Sequence, residues 1–338
     1  SNLNLNRDYM KADAPETRGW LSLWNAWDPD LFIDCHVTDG ADFQYNVTYE
    51  YAHFQEVSPA IKNWMDEHFD GKVVPLVEKE GNLLTHFVQF AGRAVTGGVS
   101  TFIATPRFAT GYAPIRNRAG LLIETHVYKP YDSRVRGTYD VLRYTIEEAG
   151  RSKESLFAAN RNADVETTFI GQAYNKDRRF PLRLAVGKNP TPMEFKGLEY
   201  KIERSPITGA DRIVYGKTPL NITIPRYDEG IVTGSVVPPL YYIVPPQWKD
   251  VISVIEMHGI KFERLKKATS YEIESYKFSE PKWAANSFES RIPLTNFKQE
   301  AVKENREFAA GSILIPLSQP SANVAIHLLE PKGPDSLL

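Results

Sequence analysis

The sequence predicts an α/β fold: a mixed, mainly parallel sheet flanked by helices over residues 1–155, then a β-rich domain of sandwich type over 160–338. Three observations predict it. Helix-like and strand-like segments alternate through the first part, the pattern of an α/β layer. Beyond about residue 160, short strand-like runs alternate with Pro and Gly. The charge balance shifts at the same place: residues 1–150 hold 14 Lys+Arg against 20 Asp+Glu, and residues 151–338 hold 26 against 22. Two such units suit a chain of 338 residues, each long enough to bury its own core.

The elements of the first part follow in order. Asp13-Ala-Pro-Glu16 has the residues of a helix start, with Asp13 able to cap, Pro15 in the first turn and Glu16 three residues on. Leu21, Trp24 and Trp27 then give an apolar face that ends at Asp28-Pro29. Leu31–Val37 reads as a buried strand running into the turn Thr38-Asp39-Gly40. Ser58-Pro59 opens a helix through Phe69, and Leu121–Val127 is a second buried strand. A long helix follows with Val135, Tyr139, Leu142 and Ile146 at helical spacing, ending near Gly150.

In the second part, Val165–Tyr174, Leu182–Val186, Leu198–Glu203, Asp211–Tyr215, Leu220–Ile224 and Tyr271–Phe278 read as strands. Tyr241–Trp248 reads as a strand leading into one helix, Gln247–His258, with Trp248 as a core anchor and Gly259 as the stop. Ala309–Ile315 and Asn323–Leu329 close the chain.

Composition excludes several function classes. A net charge of −2 argues against a nucleic-acid partner, which favours a clustered basic excess. No run of about 18 apolar residues is present to span a membrane. The single cysteine, Cys35, excludes an intrachain disulfide and a Cys-rich zinc module. Seven histidines and the carboxylates therefore remain as metal ligands. The opening Ser-Asn-Leu-Asn, without Met or a signal peptide, suggests processing or a further upstream segment. Asn46-Val-Thr48 and Asn221-Ile-Thr223 match the glycosylation triplet, which arises by chance in chains of this size.

Three short segments could carry chemistry. His36 ends the strand Leu31–Val37, and ligand-binding groups in α/β sheets collect at the carboxyl ends of strands. Read alone, it is a core or surface histidine, or a neutral imidazole on zinc. Glu124 sits inside an apolar strand, where a carboxylate is costly unless paired, coordinated or functional. Strand alternation puts it on one face with His126, so it reads either as a hydrogen-bonded Glu–His pair or as a general base. Asn6-Arg7 combines a neutral donor with a planar guanidinium fork suited to a carboxylate; a salt bridge is the plainer reading. Arg116-Asn117-Arg118 reads as a solvated loop or a contact for an acidic group.

Taken in order, Asn4-Leu-Asn-Arg-Asp8, the strand ending Asp34-Cys-His36 and the apolar strand carrying Glu124 resemble the zinc carboxypeptidase family. The resemblance covers residues 2–150. It implies an eight-stranded mixed sheet flanked by helices, and hydrolysis of the last peptide bond of a substrate with a free carboxylate, or of a related amide, using one zinc. It implies that Asn6 and Arg7 grip the terminal carboxylate, that His36 is a zinc ligand and that Glu124 is the general base. Tyr112 would match the family's mobile tyrosine that closes over substrate. The family's other two ligands form a His-x-x-Glu string ahead of the Asn-Arg pair, which has no counterpart here. His53-Phe-Gln-Glu56 and His327-Leu-Leu-Glu330 have that spacing but stand in the wrong order. The chain then reads as part of a zinc hydrolase, with two alternatives: a non-catalytic carboxylate- or peptide-binding protein on the same fold, or a zinc amidase acting on N-acyl amino acids. The family also suggests a periplasmic or secreted bacterial protein, and leaves the oligomeric state open.

Overall fold

The computed structural model describes residues 2–38 and 40–337; Asp39, in the expected turn, lies outside them. Helix α1 (Pro15–Trp27) leads into strands β1 (Leu31–Val37) and β2 (Val47–Tyr51). A helical run follows as α2 (Pro59–Trp64), a wider π-type stretch (Met65–Val73) and α3 (Val74–Lys79). Short strands β3 (Leu84–His86), β4 (Gln89–Phe90) and β5 (Val99–Ser100) precede α4 (Ala109–Ile115) and β6 (Ala119–Thr125). Helices α5 (Tyr131–Arg151) and α6 (Lys153–Thr168) are nearly continuous. The second half runs β7 (Phe180–Val186), β8 (Thr191–Arg204), β9 (Asp211–Tyr227), β10 (Gly230–Val236) and β11 (Tyr241–Val244). It closes with α7 (Lys249–Met257), β12 (Glu263–Arg264), β13 (Thr269–Trp283), β14 (Leu294–Phe308), β15 (Ile313–Pro316) and α8 (Ala322–Leu329).

The protein is mixed α/β. Its central sheet has the order β1-β6-β2-β3. β1 and β6 are parallel, β2 and β3 are parallel, and β2 runs antiparallel to β6. β6 is an interior strand, with Leu121 and Ile123 buried on one face and Leu122 buried on the other, as a strand covered on both faces requires. Gly120 lets α4 approach it: a Cβ there would lie 2.8 Å from the Ala113 methyl. The strand expected at Leu121–Val127 begins two residues earlier and ends at Thr125.

Helix α1 begins at the expected Pro15 but is not capped by Asp13. Asp8 instead accepts the amides of Asp13 at 2.9 Å and Ala14 at 2.8 Å, while Asp13 pairs with Arg291. At the other end Asp28 takes the left-handed conformation (φ 44°), and its amide bonds the Trp24 carbonyl at 2.7 Å.

Helix α5 forms where expected but presents another face. Three of the four expected stripe residues point outward, with Val135, Tyr139 and Ile146 at 49%, 62% and 64% exposure, while Leu142 packs against the sheet's core. The packed side is Gly137, Val141, Thr145 and Glu148. Small residues bring the helix close to the sheet: a Cβ on Gly137 would meet Val47 at 2.9 Å. Glu148 is buried because His68 bonds it at 2.8 Å.

Three places in the second half depart from a β-rich reading or from its Trp248 anchor. Residues 165–168 extend α6, whose Leu156, Ala159, Asn160, Ala163 and Thr167 form one buried stripe at helical spacing. Asn323–Leu329 lies in α8, which is apolar on nearly every side. Trp248 is 58% exposed and anchors nothing.

Packing crosses the expected boundary at 155–160. One core cluster joins Met10, Leu21, Trp24 and Tyr112 to Ile255, Ile313, Val324 and Ile326. A second sheet, β4-β5-β9-β8, pairs short strands of the first half with the long β8–β9 ribbon of the second. β13 and β14 form a separate two-stranded arm.

Two isoleucines test this packing. Ile123→Ala, at 0% exposure, should cost about 2–5 kcal/mol in chemical denaturation. Ile146→Ala, inside the expected stripe, should change stability by no more than about 0.5 kcal/mol.

Candidate active site

The site is built at the carboxyl ends of β1 and β6. Parallel pairing sets His36 directly beside Glu124 and Asp34 beside Leu122. The segment Asn4–Asp8 lies across this rim as a single helical turn over Leu5–Arg7, with the Asn4 side chain accepting the Asn6 amide at 3.0 Å. Asn6 Oδ1 accepts the Ala109 amide at the start of α4 (2.9 Å), which turns its Nδ2 towards His36 Nε2 at 3.3 Å. Asn6, Arg7, His36 and Glu124, far apart in sequence, thus stand at one rim.

His36 Nε2 lies 2.7 Å from Asp34 Oδ2. The shorter contact assigns Nε2–H to Asp34, since one ring nitrogen cannot donate there and also accept from Asn6. This bond is the main reason that the His36 pKa is raised; partial burial opposes it, and the charge of Glu124 adds while that of Arg7 subtracts. Arg7 Nη1 donates to the Asn6 carbonyl at 2.6 Å, and its guanidinium lies 4.1 Å from the Phe108 ring centroid. The aromatic face gives the cation a partner on that side.

The arm β13–β14 reaches back to this loop, a feature without a signal in the sequence. Glu289 at its tip accepts the Asn4 amide at 2.8 Å, Arg291 pairs with Asp13, and the Phe288 ring lies 5.8 Å from the Arg107 guanidinium carbon.

Other expected residues lie elsewhere. Tyr112, expected to close over substrate, is at 0% exposure in α4, its hydroxyl 2.8 Å from His258 Nδ1 and 2.9 Å from Arg116 Nη1. A hydroxyl held from both sides in the core is fixed rather than mobile in this conformation. His126 is buried beyond the end of β6, with Nε2 2.7 Å from Asp42 and its ring stacked on Phe43 at 4.2 Å. Arg116-Asn117-Arg118 is neither a solvated loop nor part of the rim. Arg118 is buried between Asp28 at 2.7 Å and Asp164 at 3.1 Å, and Asn117 takes a left-handed conformation (φ 58°).

Neither His-x-x-Glu string forms a ligand pair. His53 lies 3.3 Å from Asp228 and 3.4 Å from Glu50; although burial works against its charge, these carboxylates raise its pKa to about 10. Glu330 accepts the hydroxyls of Tyr242 and Tyr276 at 2.6 and 3.2 Å. Among the described residues, no three His, Cys, Asp or Glu side chains stand together as a metal site. Catalytic zinc takes three protein ligands, so one imidazole at the rim does not fit it alone. No helix among the described residues is long and apolar enough to cross a membrane.

With this geometry in view, the chain is similar to fungal carboxypeptidases. It is 23% identical over its full length to a probable carboxypeptidase 2 of Arthroderma benhamiae, covering 63% of that protein, and 23% identical over 99% of its length to carboxypeptidase 2 of Trichophyton rubrum, covering 61%. A 98-residue stretch is 28% identical to carboxypeptidase 2 of Trichophyton tonsurans, covering 29% of this chain and 18% of that protein. The chain spans about three fifths of the length of the two relatives it matches end to end. No family model matches, and no solved structure does. The relatives are fungal, so the expected bacterial source finds no support in them.

The raised His36 pKa makes a signed prediction. A histidine whose folded pKa lies above its unfolded value of about 6.5 adds stability that is complete below that value and is lost as pH rises through the folded one. Asp34→Asn should therefore lower the His36 pKa in an NMR titration. It should depress the melting temperature more at about pH 5 than at about pH 9.

Proposed function

We propose that the chain carries the substrate-gripping rim of a carboxypeptidase-like hydrolase, acting on the last peptide bond of a peptide or on a related amide. The observation that carries this is the convergence of Asn6, Arg7, His36 and Glu124 at one end of β1 and β6, in a chain similar along its whole length to carboxypeptidases. Arg7, over the Phe108 ring, offers its remaining N–H donors to the substrate's terminal carboxylate. Asn6 adds a neutral donor from the same turn. Glu124 takes the proton of the attacking water and returns it to the leaving amine, the work of a general base turned general acid. His36, whose Nε2–H is taken by Asp34, has Nδ1 as the ring nitrogen that could serve a metal ion at the rim. Zinc belongs to this reading through His36, and two further donors would have to join it.

A second reading has its own observation. Because no three-donor group stands among the described residues, the rim also suits a non-catalytic protein that binds a peptide carboxylate. The two readings share the grip and differ in turnover.

Two substitutions separate the roles. Glu124→Gln should cut hydrolysis of a peptide with a free carboxylate by about 10²–10⁴-fold while leaving peptide binding and metal content unchanged; full activity would remove Glu124 from the chemistry. In calorimetry, Arg7→Ala should weaken a free-carboxylate peptide by at least about tenfold and spare its amidated twin. An equal loss on both would refute the grip.

A further inference from the structure

The β13–β14 arm is a two-stranded ribbon that joins no larger sheet among the described residues. Its ladder breaks between Ser279 and Lys282, where Glu280 takes a left-handed conformation (φ 51°), and such a bulge bends a ribbon. The arm ends in a two-residue turn. Phe288 and Arg291 exchange backbone hydrogen bonds of 2.8 and 3.1 Å around Glu289 (φ 49°) and Ser290 (φ 63°). Two successive left-handed residues make the hairpin turn that favours Asn-Gly. Glu289-Ser290 has neither residue, and in this conformation each Cβ crowds the following carbonyl oxygen.

The strained residue touches the loop Asn4–Asp8. Glu289 Oε2 accepts the Asn4 amide at 2.8 Å. Asn4 in turn sets both gripping residues: its side chain accepts the Asn6 amide at 3.0 Å, and its carbonyl accepts the Arg7 amide at 2.9 Å. Arg291, on the other side of the turn, donates through Nε and Nη2 to the two oxygens of Asp13. The Asp13 amide is bonded to Asp8, where the loop ends. Phe288 lies beside Arg107, whose carbonyl accepts the Tyr9 amide at 3.3 Å and whose neighbour Phe108 lies under the Arg7 guanidinium. One turn thus reaches the loop at its start, just past its end and beside its aromatic support. Arg291 is largely exposed, and an exposed ion pair adds little to stability. These contacts fix position.

We propose that Glu289 and Arg291 are positioning residues, through which the arm tip fixes the loop so that Asn6 and Arg7 meet a terminal carboxylate in one geometry. The proposal rests on the reading of Arg7 as the carboxylate grip. A loop fixed beforehand loses less freedom when the ligand binds, so the tip acts on affinity for the free carboxylate.

Calorimetry of the whole chain with a free-carboxylate peptide and its amidated twin tests it, alongside thermal unfolding. Glu289→Gly removes the carboxylate and relieves the left-handed strain in one step. It should not lower the melting temperature, and should weaken the free-carboxylate peptide by about three- to tenfold while sparing the amidated one. Glu289→Gln, which keeps an acceptor oxygen for the Asn4 amide, should bind like the parent chain. Arg291→Ala should weaken the free-carboxylate peptide by a similar factor. In an Arg7→Ala background Glu289→Gly should add no further loss, because two residues that act through one group are not additive. Full affinity in Glu289→Gly, equal loss on both peptides, or an additive loss in the Arg7→Ala background would each overturn the proposal. If the parent chain binds neither peptide, or Arg7→Ala spares the free carboxylate, the grip falls and the proposal with it. If Arg7→Ala weakens that peptide and Glu289→Gly does not, the proposal falls alone.

Discussion

The parallel pairing of β1 with β6 is the constraint on which the rim depends. Parallel strands end on the same edge of their sheet, so His36 and Glu124, at matching register positions, must both face that edge. An antiparallel pair would have sent them to opposite ends. The connection between the two strands carries β2, β3 and α4, and α4 then supplies the Ala109 amide that turns the Asn6 side chain. One strand pairing thus positions groups from four places in the sequence.

The loop that carries Asn6 and Arg7 is pinned by contacts that come from far along the chain. Asp8 anchors it to the start of α1, Phe108 supports the guanidinium, and the arm tip holds Asn4 and Asp13 through Glu289 and Arg291. The second half of the molecule is therefore part of the frame of the rim. The shared core beneath it, with Tyr112 and Trp24 against Ile255 and Ile326, carries the same message. A guanidinium at half-buried depth needs this support, since an unrestrained arginine loses rotamer freedom on every binding event.

Buried polar groups divide into two kinds. Arg118 between Asp28 and Asp164, Glu148 on His68, and His126 on Asp42 are paired, and in each case the pairing offsets the cost of taking a charged or polar group out of water. Single atoms elsewhere have no partner among the described residues, such as Thr48 Oγ1, Trp64 Nε1 and Glu56 Oε2, although the second oxygen of Glu56 accepts the His53 amide.

What the sequence determined by itself was the local grammar. Pro15, Ser58-Pro59 and the run Leu31–Val37 marked their elements because proline geometry and a short apolar run act on neighbours. The candidates His36, Glu124 and Asn6-Arg7 were legible for a similar reason: a carboxylate in an apolar strand and a fork beside an amide are conspicuous wherever they fold. Tertiary structure decided which faces mattered. The apolar stripe of α5 lost the core to Gly137 and Val141, because close approach to the sheet favours small side chains over large ones. Tyr112 was drawn inward by His258 and Arg116, both of which it meets only through folding. Asn323–Leu329 became a helix because a continuous apolar run has no period of its own, leaving its neighbours to choose. The arm over Asn4 had no local signature, since it is made by residues that only the fold brings within reach.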